Sequence, residues 1–134
     1  MLWMNVTIPR TDAGSKQELS SRLNQEFIDA TGFETEVLFI RFSEYEAGDV
    51  AASGLLYSGA GEAFAHVVLY APRLRFDVKR SLVASITNIL ESKNWKCLIH
   101  LLEVPYDNIG MNGQLLTDAD DELASRPFYY MLPR

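Results

Sequence analysis

Leu2-Trp3-Met4-Asn5-Val6-Thr7-Ile8-Pro9-Arg10 alternates Leu2, Met4, Val6 and Ile8 with Trp3, Asn5 and Thr7. That is the period of a half-buried strand, and Pro9 and Arg10 end it. Ser15-Lys16-Gln17-Glu18 follows and matches a capping box, in which a serine and a glutamate three residues on satisfy free amides. Leu19, Leu23, Phe27 and Ala30 then recur at helical spacing and form one apolar stripe. Gly32 sits where such a helix stops. Glu36 to Phe42 reads as a second strand, so apolar that it is predicted to be covered on both faces.

The same order of signals returns downstream. Phe64 to Tyr70 reads as a third strand, and Pro72-Arg73 echoes Pro9-Arg10. Asp77 is the predicted N-cap of a second helix whose stripe is Leu82, Val83, Ile86, Ile89 and Leu90. Cys97 to Val104 supplies the fourth strand. Each half closes alike, on Ala52-Ser53-Gly54-Leu55-Leu56 and on Asn112-Gly113-Gln114-Leu115-Leu116. The chain therefore reads as one domain over 1–134. Its first β-α-β unit is 1–57, Ser58-Gly59-Ala60-Gly61 heads a linker over 58–63, the second unit is 64–116, and 117–134 is a tail. The glycines of the linker are no phosphate loop, because no lysine follows them and no G-x-G-x-x-G is present. The tail carries Asp118, Asp120, Asp121 and Glu122 without calcium-loop spacing, then an aromatic end, Phe128-Tyr129-Tyr130, expected to dock on its own sheet or on a neighbour.

Crossovers between parallel strands are right-handed, so two such units make a four-stranded sheet with two helices over one face, an α/β (α+β) architecture. Four apolar strands with one face left uncovered predict self-association.

The chain has 134 residues, enough for one real core, and hydrophobic residues make up 48% of it. Twelve Lys and Arg against eighteen Asp and Glu give a net charge of −6, which is not the electrostatic footprint of a nucleic-acid binder. A small anionic substrate would need locally placed arginines to offset that field. The single cysteine, Cys97, forms no intrachain disulfide and reads as a buried small hydrophobe. No Cys/His cluster has zinc spacing, so no metal and no cofactor is expected. Met1 to Asn5 has neither the basic nor the apolar region of a signal peptide, and no stretch approaches the ~20 apolar residues of a membrane span. A soluble cytoplasmic protein is the expectation.

Met1 to Pro9, the capped helix with Ala30-Thr31-Gly32, the strand Val37 to Phe42 and the segment Tyr106-Asp107-Asn108-Ile109-Gly110-Met111-Asn112-Gly113 resemble, in order and spacing, the tautomerase superfamily. That family includes macrophage migration inhibitory factor and 4-oxalocrotonate tautomerase. The resemblance covers roughly 1–116. It implies a homotrimer with helices outside and sheets toward the axis, and isomerase-type chemistry on a small carboxylate-bearing keto/enol molecule. The family's base is an N-terminal proline whose amine has a depressed pKa. Here Leu2 takes that position, and a residue of that size is expected to keep Met1 in place, so the proline mechanism does not carry over.

The resemblance also implies that Arg73 and Arg75, after the third strand, bind the substrate carboxylate. Residues 73 and 75 of an extended segment point the same way, and guanidinium forks pair with carboxylates. A solvated pair is the alternative, although a helix N-terminus is a poor place for cations. Glu36 is near where decarboxylase-like members place an acid, or is a strand-edge surface carboxylate. Arg41, amid an apolar strand, is either an intersubunit ion pair or a ligand contact. Tyr106 lies in the segment that in the family reaches the pocket. His66 and His100 fall in the third and fourth strands, which a sheet could bring together; strand-face histidines hydrogen-bonded in the core or a subunit interface are favoured over a two-histidine metal site.

Three functional readings follow. One is an enzyme of tautomerase or decarboxylase type using another base, the Met1 amine or Glu36. A second is a trimer without catalysis that binds a small acid or a protein. The third is a ferredoxin-like ligand-binding module with the same element order.

Overall fold

The computed structural model describes residues 2–32 and 37–119. Their elements run β1 Leu2–Pro9, α1 Ala13–Thr31, β2 Leu38–Tyr45, β3 Ala51–Ala52, β4 Leu55–Leu56, β5 Ala63–Ala71, α2 Phe76–Glu91, β6 Trp95–Glu103, a 3-10 turn Tyr106–Asn108, β7 Gly110–Met111, β8 Gln114–Leu115 and α3 Leu116–Ala119. The main sheet has the order β2-β1-β5-β6. β1 runs parallel to β2 and β5 to β6, while β1 and β5 meet antiparallel at the centre. Each unit is thus a β-α-β crossover, and the two are joined edge to edge.

Period-two alternation decides which side chains the helices cover. Leu2, Met4, Val6 and Ile8 of β1 and Ala65, Val67 and Leu69 of β5 are buried, with Leu19, Leu23 and Phe27 of α1 and Leu82, Ile86 and Leu90 of α2 in the same cluster. The first predicted helical stripe is buried throughout. In the second, Val83 is 39% exposed and lies off the core. The opposite sheet face is open in the protomer: Trp3, Phe39, Leu98 and Leu102 are 41%, 44%, 60% and 45% exposed. The composition of β2 predicted cover on both faces; within the protomer only one of them is covered. Leu38, Ile40 and Phe42 pack against the core, and the alternate residues face outward.

Two predicted caps are corrected. α1 starts a turn before Ser15: Asp12 is the N-cap, and its carboxylate accepts from the Ser15 N–H at 2.7 Å. A carboxylate both satisfies that orphan amide and meets the positive end of the helix dipole. α2 begins at Phe76 after Arg75, which provides no side-chain cap, and Asp77 lies in the first turn.

The two units have the same element order and can be aligned element by element. Pro9 corresponds to Pro72, the α1 N-cap Asp12 to Arg75 and the helix start Ala13 to Phe76. In the second part of each unit, Tyr57 N–H donates to Val50 O at 2.8 Å, as Leu116 N–H does to Ile109 O at 2.9 Å. Between these bonds, Ser53-Gly54 and Asn112-Gly113 turn the two short hairpins with both residues at positive φ, the left-handed pair that a two-residue hairpin requires. With this correspondence Asn5 matches Val68, and these two are themselves paired across β1 and β5, so a local two-fold passes between them.

Candidate functional site at the start of β1

β1 and β2 begin, and β5 and β6 end, at the same edge of the sheet. There Leu2, Trp3, Phe39, Tyr70, Val104, Ile109, Gly110 and Met111 line a cavity of about 380 Å³. Alternation places Trp3, Phe39 and Tyr70 on the open face. The rings of Trp3 and Phe39 stack at 5.8 Å, and the indole N–H donates to Asn5 Oδ1 at 2.7 Å, which fixes its orientation. The turn at Asn112-Gly113 folds β7 back so that Gly110 and Met111 form one wall. Tyr70 brings the one hydroxyl among these side chains, so the walls suit a hydrocarbon body and any charge on a ligand must be met from the rim.

Leu2 lines the cavity, and its N–H donates to Val37 O at 3.0 Å. Met1 and Glu36 lie outside the described residues, as does the tail from 120 with its aromatic end. Their chain neighbours Leu2 and Val37 are the two residues joined by that bond. Arg73 is exposed, three residues beyond Tyr70. Arg75 pairs with Asp77 at 3.2 Å, yet its Nε is shielded from solvent with no hydrogen-bond partner among the described residues. Neither arginine is among the residues lining the cavity of the protomer. Arg41 is exposed on the open face opposite Asn5, with no ion pair among the described residues. Tyr106 is 2% exposed and belongs to the core cluster, beneath the segment that forms the wall.

His66 Nε2 and His100 Nδ1 meet at 2.8 Å on the open face. Cys97 faces the helices, half-buried, and burial, helped by Glu91, pushes its thiol up to about 11. A second, charged hollow of about 290 Å³ is lined by Glu62, Glu91, Asn94, Trp95 and Lys96. Among the described residues no group of three or more His, Cys, Asp or Glu could hold a metal ion, and no helix is long and apolar enough to cross a membrane. Sequence reasoning had not singled out Trp3, Phe39, Tyr70 and Met111 as site residues. The available signal was their phase: three large aromatics sit on the polar-side positions of their strands.

No family model and no curated protein matches the sequence. Solved structures do match the fold. A native fused 4-OT superposes with a TM-score of 0.74 at 21% identity, covering 87% of this chain and 97% of its own. The FG41 malonate semialdehyde decarboxylase inhibited by 3-bromopropiolate gives 0.71 at 13% identity, with 91% and 98% covered. A fused 4-OT solved as a symmetric trimer gives 0.72 at 21%, with 87% and 98% covered. The chain has the tautomerase-superfamily fold.

Proposed function

We propose that this protein is a homotrimer that binds a small carboxylate-bearing keto/enol compound at the start of β1 and carries out isomerase- or decarboxylase-type chemistry on it. The observation that carries this reading is the apolar cavity between Trp3, Phe39, Tyr70 and Met111, at the sheet edge where β1 begins. The stacked aromatics hold an unsaturated hydrocarbon body. Arg73, exposed three residues beyond Tyr70, and Arg75, at the start of α2, supply the carboxylate's partners. Arg41, exposed on the open face, completes the substrate-binding set, and Tyr106 supports the wall segment from the core. The Met1 amine or Glu36 acts as base, next to the bonded pair Leu2 and Val37. Trimerisation covers the open face with its exposed Trp3, Phe39, Leu98 and Leu102, and the fused 4-OT neighbour solved as a symmetric trimer supports it. The setting proposed is the cytoplasm, with no cofactor.

A second reading is favoured by Leu2, whose backbone N–H is already committed to Val37: the trimer binds such an acid without turning it over. Enol–keto assays with phenylpyruvate and a 2-hydroxydienoate, on protein whose mass shows Met1 present, separate the two. Turnover above buffer that is abolished in Arg73→Ala supports the enzyme. Turnover that is unchanged in Arg73→Ala sinks the arginine assignment, and saturable binding without turnover selects the second reading.

A further inference from the structure

The internal two-fold implies a second cleft, and the residue that fills it is visible. Under the correspondence set out above, the lining residues Leu2, Trp3, Phe39 and Tyr70 match Ala65, His66, Leu98 and Thr7. The hairpin wall Ile109, Gly110 and Met111 matches Val50, Ala51 and Ala52. Val104, which lines the first cavity, matches Tyr45: each stands five residues before the residue whose carbonyl closes its hairpin, Ile109 or Val50.

Tyr45 is 8% exposed. Its hydroxyl accepts from the Phe64 N–H at 2.9 Å and donates to the Phe64 carbonyl, and its ring meets Tyr57 edge-on at 5.6 Å. The chemistry of the strand explains this attachment. Extending the β1–β5 register past Thr7 and His66 sets Pro9 opposite Phe64. A proline has no N–H to give to the ladder, and the Tyr45 hydroxyl takes over that role. Val104 in the matching place has no hydroxyl and less bulk, and there the space stays open.

We infer that Tyr45 is a plug that closes a second, latent ligand cleft between β5, β6 and the β3–β4 hairpin, leaving one open site per protomer. Ala65, Leu98, Val50, Ala51 and Ala52 would give that cleft aliphatic walls, with Thr7 and His66 at one side, so it would take a small apolar molecule. The inference rests on the internal symmetry and stands apart from any activity of the first cleft.

Xenon, which enters apolar cavities irrespective of chemistry, provides the test. In crystals of the unaltered protein it is expected beside Trp3 and Met111 and not beside Phe64. In Tyr45→Val, a second xenon is expected between Phe64, Leu98 and Val50. Xenon beside Phe64 in the unaltered protein, or none there in Tyr45→Val, overturns the inference. The reciprocal variant Val104→Tyr keeps it testable should Tyr45→Val fail to fold: xenon is expected to disappear from the first cleft, and its undiminished presence there counts against the plug.

Discussion

His66 Nε2 and His100 Nδ1 stand 2.8 Å apart across β5 and β6, their rings nearly perpendicular at 87°. One ring must accept what the other donates, so the contact survives with at most one of the two cationic. Arg41 and Lys96 are the other cations on this open face, and Lys96 pairs with Glu62 at 3.6 Å.

His100→Leu leaves the His66 ring nitrogen without its partner on the face proposed to be buried in the trimer. Sedimentation is therefore expected to show a weaker assembly in this variant than in the unaltered protein. An assembly of equal stability would separate the histidines from the interface.

Leu98 is the most exposed large hydrophobic of the open face, at 60%. Leu98→Glu is expected to dissociate the assembly while leaving the circular-dichroism spectrum unchanged, because the side chain contributes little to the protomer core and a carboxylate buried without a partner is costly. Undiminished trimer in this variant would place the interface elsewhere.

Cys97 has a thiol held up to about 11 from an ordinary 9.0, first by burial and then by Glu91. A folded-state pKa above the unfolded one stabilises the fold below pH 9 and loses that contribution as pH rises toward 11. Denaturant midpoints are expected to fall across that window, and less so in Cys97→Ala. At pH 7 a thiol reagent should modify the folded protein far more slowly than the unfolded chain.

Asp12 has its carboxyl held below the usual 3.8, chiefly by the Ser15 backbone N–H and then by the Ser15 hydroxyl. Its capping contribution is present above that range and is lost as pH falls through the lowered value. Asp12→Ala is expected to lower Tm at pH 7, and the gap from the unaltered protein is expected to shrink as pH falls below the usual carboxylate range. A Tm unchanged at pH 7 would remove Asp12 from its capping role.

The duplicated architecture was legible because it follows from periodicity. The alternation of Leu2 to Ile8, the stripe Leu19-Leu23-Phe27 and the paired Ser53-Gly54 and Asn112-Gly113 turns are local properties that tertiary contacts reinforce. The caps were less legible, since Asp12 and Ser15 both read as caps and only the register of α1 against the sheet decides between them. The site was the least legible part. Trp3, Phe39 and Tyr70 are brought together by strand pairing between residues up to 67 positions apart, which no window of sequence shows. Tyr106 lies in the expected segment, but the 3-10 turn that carries it rotates the ring into the core and leaves Ile109 to Met111 as the wall.

The most direct test of the central claim is phenylpyruvate ketonisation by the unaltered protein against Met111→Trp, which fills the cavity beside Trp3 with an indole. Turnover above buffer that Met111→Trp abolishes, while the trimer persists, is the predicted result. Turnover that survives the filled cavity would contradict the placement of the active site at the start of β1.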